Sequence, residues 1–195
     1  RRTTSGKEAR MTDQTSGGAL EVEVIHSAEN IAQRLEVLAK EISALKLERP
    51  MVVAVLKGSF VFAADLIRAL HLAGLEPEVD FLTLSSYRKS RTSSGKVEIL
   101  RDLDLGVEGR NVILVDDVLD SGRTLVFAKD LISARGAQRI LTCVLINKKV
   151  PRAVNVEADF SAFDGNEEFV VGYGMDVAHR YRELPFVGRM VAKEQ

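Results

Sequence analysis

Three short, almost unbroken aliphatic runs, "MVVAVL" (51–56), "VILV" (112–115) and "ILTCVLI" (140–146), constrain the fold more than any other feature of this chain. A strand with one wetted face alternates apolar and polar residues, whereas a strand that is apolar throughout is covered on both faces. Between these runs the apolar period becomes helical. "FVFAADLIRALHLAG" (60–74) reads as a helix closed by Gly74. "TLVFAKDLISARG" (124–136) reads as another, with Leu125, Ala128, Leu131 and Ile132 inward and Gly136 as its stop. Upstream, Ser27 reads as an N-cap ahead of Ile31, Leu35, Leu38, Ile42 and Leu45, which recur on one helical face. "VDFLTLSSY" (79–87) and "VEIL" (97–100) add extended segments. Buried strands separated by helices of this length predict βαβ units and an α/β, doubly wound parallel sheet.

At 195 residues the chain suits one domain with a sizeable core. Residues 1–19 are polar and rich in Gly, Ser and Thr, so they are expected to be a disordered tail or a non-native remnant, leaving 20–195 as the domain. A net charge of −1 offers no broad attraction to nucleic acid or to an anionic membrane, and neither is expected as a partner. No run approaches membrane-spanning length, and no apolar signal core precedes the fold. The single cysteine, Cys143, excludes an internal disulfide and sits in an aliphatic run as a small core residue. These features predict a cytoplasmic protein. His26, His71 and His179 show no ligand spacing.

The informative stretch is "VILVDDVLDSGRTL" (112–125). It reads as a buried strand that ends at Asp116 and Asp117, set directly against four aliphatic residues, where adjacent carboxylates repel one another and resist desolvation. Something cationic or rich in hydroxyls should meet them. Just beyond, Asp120, Ser121, Gly122, Arg123 and Thr124 form a turn into a helix. Such a turn aims free N–H groups and a positive dipole end at one point, as a monophosphate cradle does. Acids in front of a bare phosphate would be self-defeating. They make sense for a ligand that also carries a sugar diol or magnesium.

This stretch closely resembles the phosphoribosyl pyrophosphate motif of the type I phosphoribosyltransferases. "LKGS" (56–59) resembles that family's pyrophosphate turn, and "FVVGYGMDVAHRYRELPFVG" (169–188) resembles the C-terminal block of its hypoxanthine-guanine branch. "SSY" (85–87) and "INKKVPR" (146–152) match the same branch, so the resemblance runs in order from about residue 22 to the end. It implies a parallel twisted sheet flanked by helices, with a small hood made of the N- and C-terminal segments. It also implies transfer of a phosphoribosyl group from phosphoribosyl pyrophosphate to a 6-oxopurine, with Mg2+ and a homodimer or homotetramer.

The resemblance further implies a role for each matched residue. Asp116 and Asp117 match the pair that engages the ribose hydroxyls with magnesium nearby; the first is Glu in many relatives. Asp120 matches the proposed general base, and Asp120, Ser121, Gly122, Arg123 and Thr124 match the 5′-phosphate loop. Lys57 and Gly58 match the pyrophosphate turn, where the family often shows a cis peptide, and Arg182 matches a further pyrophosphate contact. Lys148 matches the donor to the 6-oxo group, Phe169 the ring stacked on the purine, and Val170 the backbone that reads its edge. Asp176 matches a magnesium ligand. Ser86 and Tyr87 match the start of a closing loop, for which the polar "RKSRTSSGK" (88–96) is the available segment. Without the resemblance, Phe169 reads as core and Lys148 as a solvated charge. The competing expectation is a nucleotide-sensing, RNA-binding regulator on the same fold; against it stand the presence of Asp120 and the lack of a basic face.

Overall fold

The aliphatic runs all form strands in this computed structural model, which describes residues 20–86 and 97–192. The elements run β1 (Leu20–His26), α1 (Ala28–Ser43), β2 (Pro50–Leu56), α2 (Phe60–Leu72), β3 (Glu78–Ser86), β4 (Val97–Arg101) and β5 (Asn111–Leu119). They continue with α3 (Arg123–Ala134), β6 (Arg139–Lys148), β7 (Phe160–Gly165), β8 (Val170–Val171) and β9 (Val187–Ala192). Residues 1–19, expected to be a tail, lie outside the described residues.

Six strands form the main sheet in the order β4-β3-β2-β5-β6-β7, parallel except for β4 at one edge. Its pleat sorts each aliphatic run between two cores. Met51, Val53, Val55, Val112 and Leu114 pack under Leu125, Ala128 and Ile132 of α3. Val52, Ala54, Ile113 and Val115 pack under Leu35, Leu38 and Ile42 of α1 and Phe62, Leu66 and Leu70 of α2. Both faces are covered, which is why the runs carry no polar alternation. The chain leaves β2 through α2 on one face and β5 through α3 on the other. Strand order therefore reverses between β2 and β5, and a crevice opens beyond their carboxyl ends. A second, antiparallel sheet, β1-β9-β8, joins the N- and C-terminal segments as the expected hood.

Ser27 caps α1 as its sequence position suggests, its side chain accepting from the Asn30 amide at 3.2 Å. Two expectations need correcting. Leu45 does not continue the buried stripe: α1 ends at Ser43, the chain turns through Lys46 at φ +48°, and Leu47 takes the inward place while Leu45 stays exposed. The strand carrying the acids does not stop at them either. β5 runs on to Leu119, held by β6 through the pairs Asp116–Val144 and Val118–Ile146. Among the described residues, no helix is long and apolar enough to cross a membrane.

These packing assignments predict unequal costs for two similar truncations. Leu38→Ala should destabilise the protein by ~2–5 kcal/mol, because Leu38 has no solvent exposure and lies between α1 and the sheet. Leu45→Ala should stay within ~0.5 kcal/mol of the parent. Urea unfolding midpoints would check this, and equal losses would show that the helical stripe does extend to residue 45.

Candidate active site

A cleft of about 290 Å3 lies at the strand-order reversal, between the carboxyl ends of β2 and β5. Asp116 and Asp117 form its inner wall. Asp116 is 7% exposed, and its Oδ1 accepts from the Asp117 amide at 2.9 Å; Asp117 Oδ1 accepts from the Val118 amide at 2.8 Å. Among the described residues neither carboxylate is paired with a cation. Burial first, and then the neighbouring Asp117 carboxylate, push the Asp116 carboxyl well above the usual carboxylate range.

Opposite the acids the chain turns from β2 into α2 through a cis Leu56–Lys57 peptide. Gly58 sits so close to Asp117 that a Cβ there would overlap the carboxylate. Ser59 anchors the turn by donating to the Val55 carbonyl at 2.5 Å, and Ala63 N–H bonds back to Ser59 O at 2.8 Å, which starts α2. Lys57 is exposed on the cleft wall.

The loop from β5 to α3 forms one end of the cleft. Gly122 is the N-cap of α3 at φ +80°, and a Cβ there would lie 2.5 Å and 2.9 Å from the side chains of Val156 and Val154. Only glycine combines that conformation with so little room. Val126 N–H is the first to bond backward, to Gly122 O at 2.9 Å, so the amides before it belong to the first turn, which a helix leaves without internal partners. Asp120 and Thr124 line the cleft. Ser121 and Arg123 are exposed on its outer rim and Gly122 is buried behind them. The loop therefore contributes Asp120 and Thr124 to the cleft wall and leaves Ser121 and Arg123 exposed to solvent.

The other end is chemically different. Lys148, the last residue of β6, is only 8% exposed, and its Nζ lies 3.7 Å from Asp120 Oδ2. Arg152 braces this corner, its guanidinium donating to the Lys148 carbonyl at 3.0 Å and to Asn147 Oδ1 at 2.6 Å. Phe169, a core position when read alone, is instead 49% exposed and faces the cleft just before β8, next to Val170. An aromatic face, a buried ammonium and a carboxylate thus converge where a flat polar heterocycle could lie.

Asp176 also lines the cleft, but both of its oxygens are engaged. Arg182 Nη2 meets Oδ1 at 2.7 Å, and the His179 amide donates to Oδ2 at 2.8 Å. Arg182 does not line the cleft; its other Nη donates to the Gly174 carbonyl at 2.7 Å, placing it behind Asp176. Ser86 ends β3, and Tyr87 with the expected closing loop lies outside the described residues. The cleft is also lined by apolar residues to which the sequence reading gives no site role: Val55, Leu84 and Val118, with Leu56 and Met175 inside the matched motifs. Val118 could have been found, since it stands between Asp117 and Asp120. Leu84 carries no local signal.

Among the described residues, no three His, Cys, Asp or Glu side chains converge as a metal cage. Asp116 and Asp117 nevertheless form an oxygen donor pair that no cation among the described residues neutralises. That suits a hard divalent ion taking its remaining ligands from a phosphate and water.

The sequence matches the family described as phosphoribosyl transferase domain over residues 21–178. It is 39% identical over 88% of its length to the hypoxanthine-guanine phosphoribosyltransferase of Streptococcus agalactiae, covering 93% of that protein. The structure superposes on a crystal structure of a Bacillus anthracis hypoxanthine-guanine phosphoribosyltransferase with a TM-score of 0.80 and 40% identity, covering 87% of this chain and 98% of that one. A hypoxanthine phosphoribosyl transferase from Trypanosoma cruzi, solved to define how its C-terminal region affects oligomeric state and activity, gives a TM-score of 0.81 at 34% identity, covering 87% and 91%.

The buried acid pair makes a prediction about stability. Folding raises the Asp116 pKa, so the folded protein holds that proton more tightly than the unfolded chain does. Asp116 therefore subtracts stability progressively as pH rises above its unfolded value of about 4. Asp116→Asn keeps the acceptor for the Asp117 amide and removes the charge. Without ligands the variant should be more stable than the parent near neutral pH, with the gain closing as pH falls toward about 4. Urea midpoints across that pH range would measure it. A gain that is absent, or that grows in acid, would contradict the assignment.

Proposed function

The chain belongs to the phosphoribosyl transferase domain family, and we propose that it is a purine salvage enzyme joining phosphoribosyl pyrophosphate to N9 of hypoxanthine or guanine, with release of pyrophosphate. The observation that carries the 6-oxopurine reading is the placement of Lys148 Nζ 3.7 Å from Asp120 Oδ2 beside the exposed face of Phe169. A 6-oxopurine offers a carbonyl acceptor and a ring proton on neighbouring edges. Lys148 donates to the carbonyl, Asp120 takes or returns the ring proton, and Phe169 stacks on the ring while Val170 reads its edge by its backbone.

The remaining groups serve a transition state in which the ribose gains positive charge as pyrophosphate departs. Asp116 and Asp117 hold the ribose hydroxyls and favour that charge from a buried position. Ser121, Thr124 and the amides opening α3 seat the 5′-phosphate, with Gly122 and Arg123 contributing backbone. Lys57 and the Gly58 turn face the leaving group. Arg182 would reach it only by exchanging Asp176, so its first role is to hold Asp176 and Gly174 in place. Asp116, Asp117 and Asp176 are the carboxylates that would hold magnesium or its waters, and the ion would supply positive charge against the pyrophosphate oxygens.

A homodimer or homotetramer fits an apolar recess of about 820 Å3 bounded by α1, α2 and residues 173–185, on whose edge Leu72 is 86% exposed. A cytoplasmic setting fits the one buried, unpaired cysteine. Nothing in the site or in the relatives favours the RNA-binding regulator.

Asp120→Asn tests the reading. Asn preserves the size of the side chain but takes no proton usefully, so turnover of hypoxanthine should fall by roughly 10²–10⁴-fold. Affinity for the nucleoside monophosphate product should change far less, since its phosphate rests on backbone amides and hydroxyls. Turnover and product affinity measured on the same variant separate the two effects, and near-normal turnover would remove Asp120 from the proton-transfer role.

A further inference from the structure

Three consecutive residues opposite the 57–59 turn share left-handed backbone: Gly172 at φ +89°, Tyr173 at +50° and Gly174 at +98°. Glycine adopts this region freely, whereas a bulky aromatic residue does so only where its surroundings hold it there. Tyr173 is held at both ends. Its amide donates to the Leu184 carbonyl at 2.9 Å, and its hydroxyl donates to Asp65 Oδ2 at 2.5 Å. The ring is 5% exposed, and burial with the Asp65 carboxylate beside it pushes the phenol further above its usual range, so it stays a donor. Asp65 belongs to α2, the helix that grows directly out of the Lys57–Gly58 turn. The residue after Tyr173 closes the circuit. A Cβ on Gly174 would lie 2.6 Å from the Gly58 carbonyl oxygen and 3.4 Å from the Phe60 ring, and the Gly174 carbonyl is held by Arg182.

We propose that Tyr173 and Asp65 are a positioning pair that clamps the Gly172–Arg182 segment onto α2 and so sets the Lys57–Gly58 turn, Asp176 and Arg182 at one separation for the pyrophosphate group. Neither side chain touches substrate; both act through Gly174 and the helix. The proposal rests on the reading of this cleft as a phosphoribosyl pyrophosphate site. It predicts a loss concentrated at the pyrophosphate end, because Lys148 ends β6, Asp120 sits in the loop before α3, and the β8 strand that follows Phe169 is held by its own pairing with β9.

The test measures steady-state kinetics with hypoxanthine and, separately, calorimetric binding of magnesium pyrophosphate. Both are done on the parent, Tyr173→Phe, Asp65→Ala, Asp65→Asn and the Tyr173→Phe/Asp65→Ala double variant. Tyr173→Phe keeps the buried ring, so the fold should survive. Tyr173→Phe and Asp65→Ala should each raise the KM for phosphoribosyl pyrophosphate and the Kd for magnesium pyrophosphate about five- to tenfold. The KM for hypoxanthine should move less than about twofold. Asp65→Asn retains an oxygen acceptor and should restore near-parental values, and the double variant should be no worse than either single. Unchanged pyrophosphate affinity in Tyr173→Phe would overturn the clamp, as would purine and pyrophosphate affinities falling together. A parent protein that binds magnesium pyrophosphate but acts on no 6-oxopurine would overturn the functional reading alone. A parent that does not bind magnesium pyrophosphate would overturn both.

Discussion

Asp117 and Gly58 approach so closely that the carboxylate fills the volume a side chain at position 58 would need, while the Gly58 carbonyl leaves no such room at Gly174. Three chain segments, from β5, from the turn into α2 and from the C-terminal block, therefore meet through glycine backbone and the Asp117 carboxylate, with the Phe60 ring beside them. Two of the three junction residues are glycines, and the absence of a side chain at each is what lets the segments approach so closely. The third presents a carboxylate backed by a second, buried one. A junction of this kind collapses if any of the three segments shifts, so the surrounding packing is spent on holding them.

The sheet does most of that holding. β2 and β5 are neighbours at its centre, packed from both faces, and the reversal of strand order leaves their carboxyl ends uncovered by any crossover. Polar groups that could not sit in the aliphatic part of either strand are tolerated there because the crevice admits solvent or ligand. The result is a cleft whose ends differ in chemistry. Acids and the open first turn of α3 suit a phosphorylated sugar. A buried ammonium and an exposed phenylalanine face suit a flat heterocycle carrying a carbonyl. Asp120 belongs to the loop that opens α3 and also lies 3.7 Å from Lys148 Nζ, so it stands where the two ends meet.

The fold was legible in the sequence because burial on both faces leaves a signature, the unbroken aliphatic run, that few other arrangements produce. The phosphate loop was legible for a similar reason: Gly122 must combine a positive φ with contact to Val154 and Val156, and hydroxyls flank it. Leu45 misled because a helical period says nothing about where the helix stops, and Lys46 turns the chain just after it. Arg182 and Asp176 satisfy one another, a pairing that local sequence does not encode. Tyr173 and Asp65 are 108 residues apart, and their hydrogen bond exists only through the fold. Phe169 read alone looks like core because an exposed aromatic on an apolar stretch is indistinguishable from a buried one until its neighbours are placed.

The central claim is that Lys148, a donor with no acceptor capacity, selects a purine by its 6-oxo group. The most direct measurement is pyrophosphate release by the parent protein from phosphoribosyl pyrophosphate with hypoxanthine, guanine and adenine, compared as kcat/KM. Hypoxanthine or guanine should be used efficiently. Adenine, which turns an amino donor toward the ammonium, should be rejected by roughly 10⁴-fold, as expected of a site built around a specific hydrogen bond. Comparable kcat/KM for adenine and hypoxanthine would contradict the account.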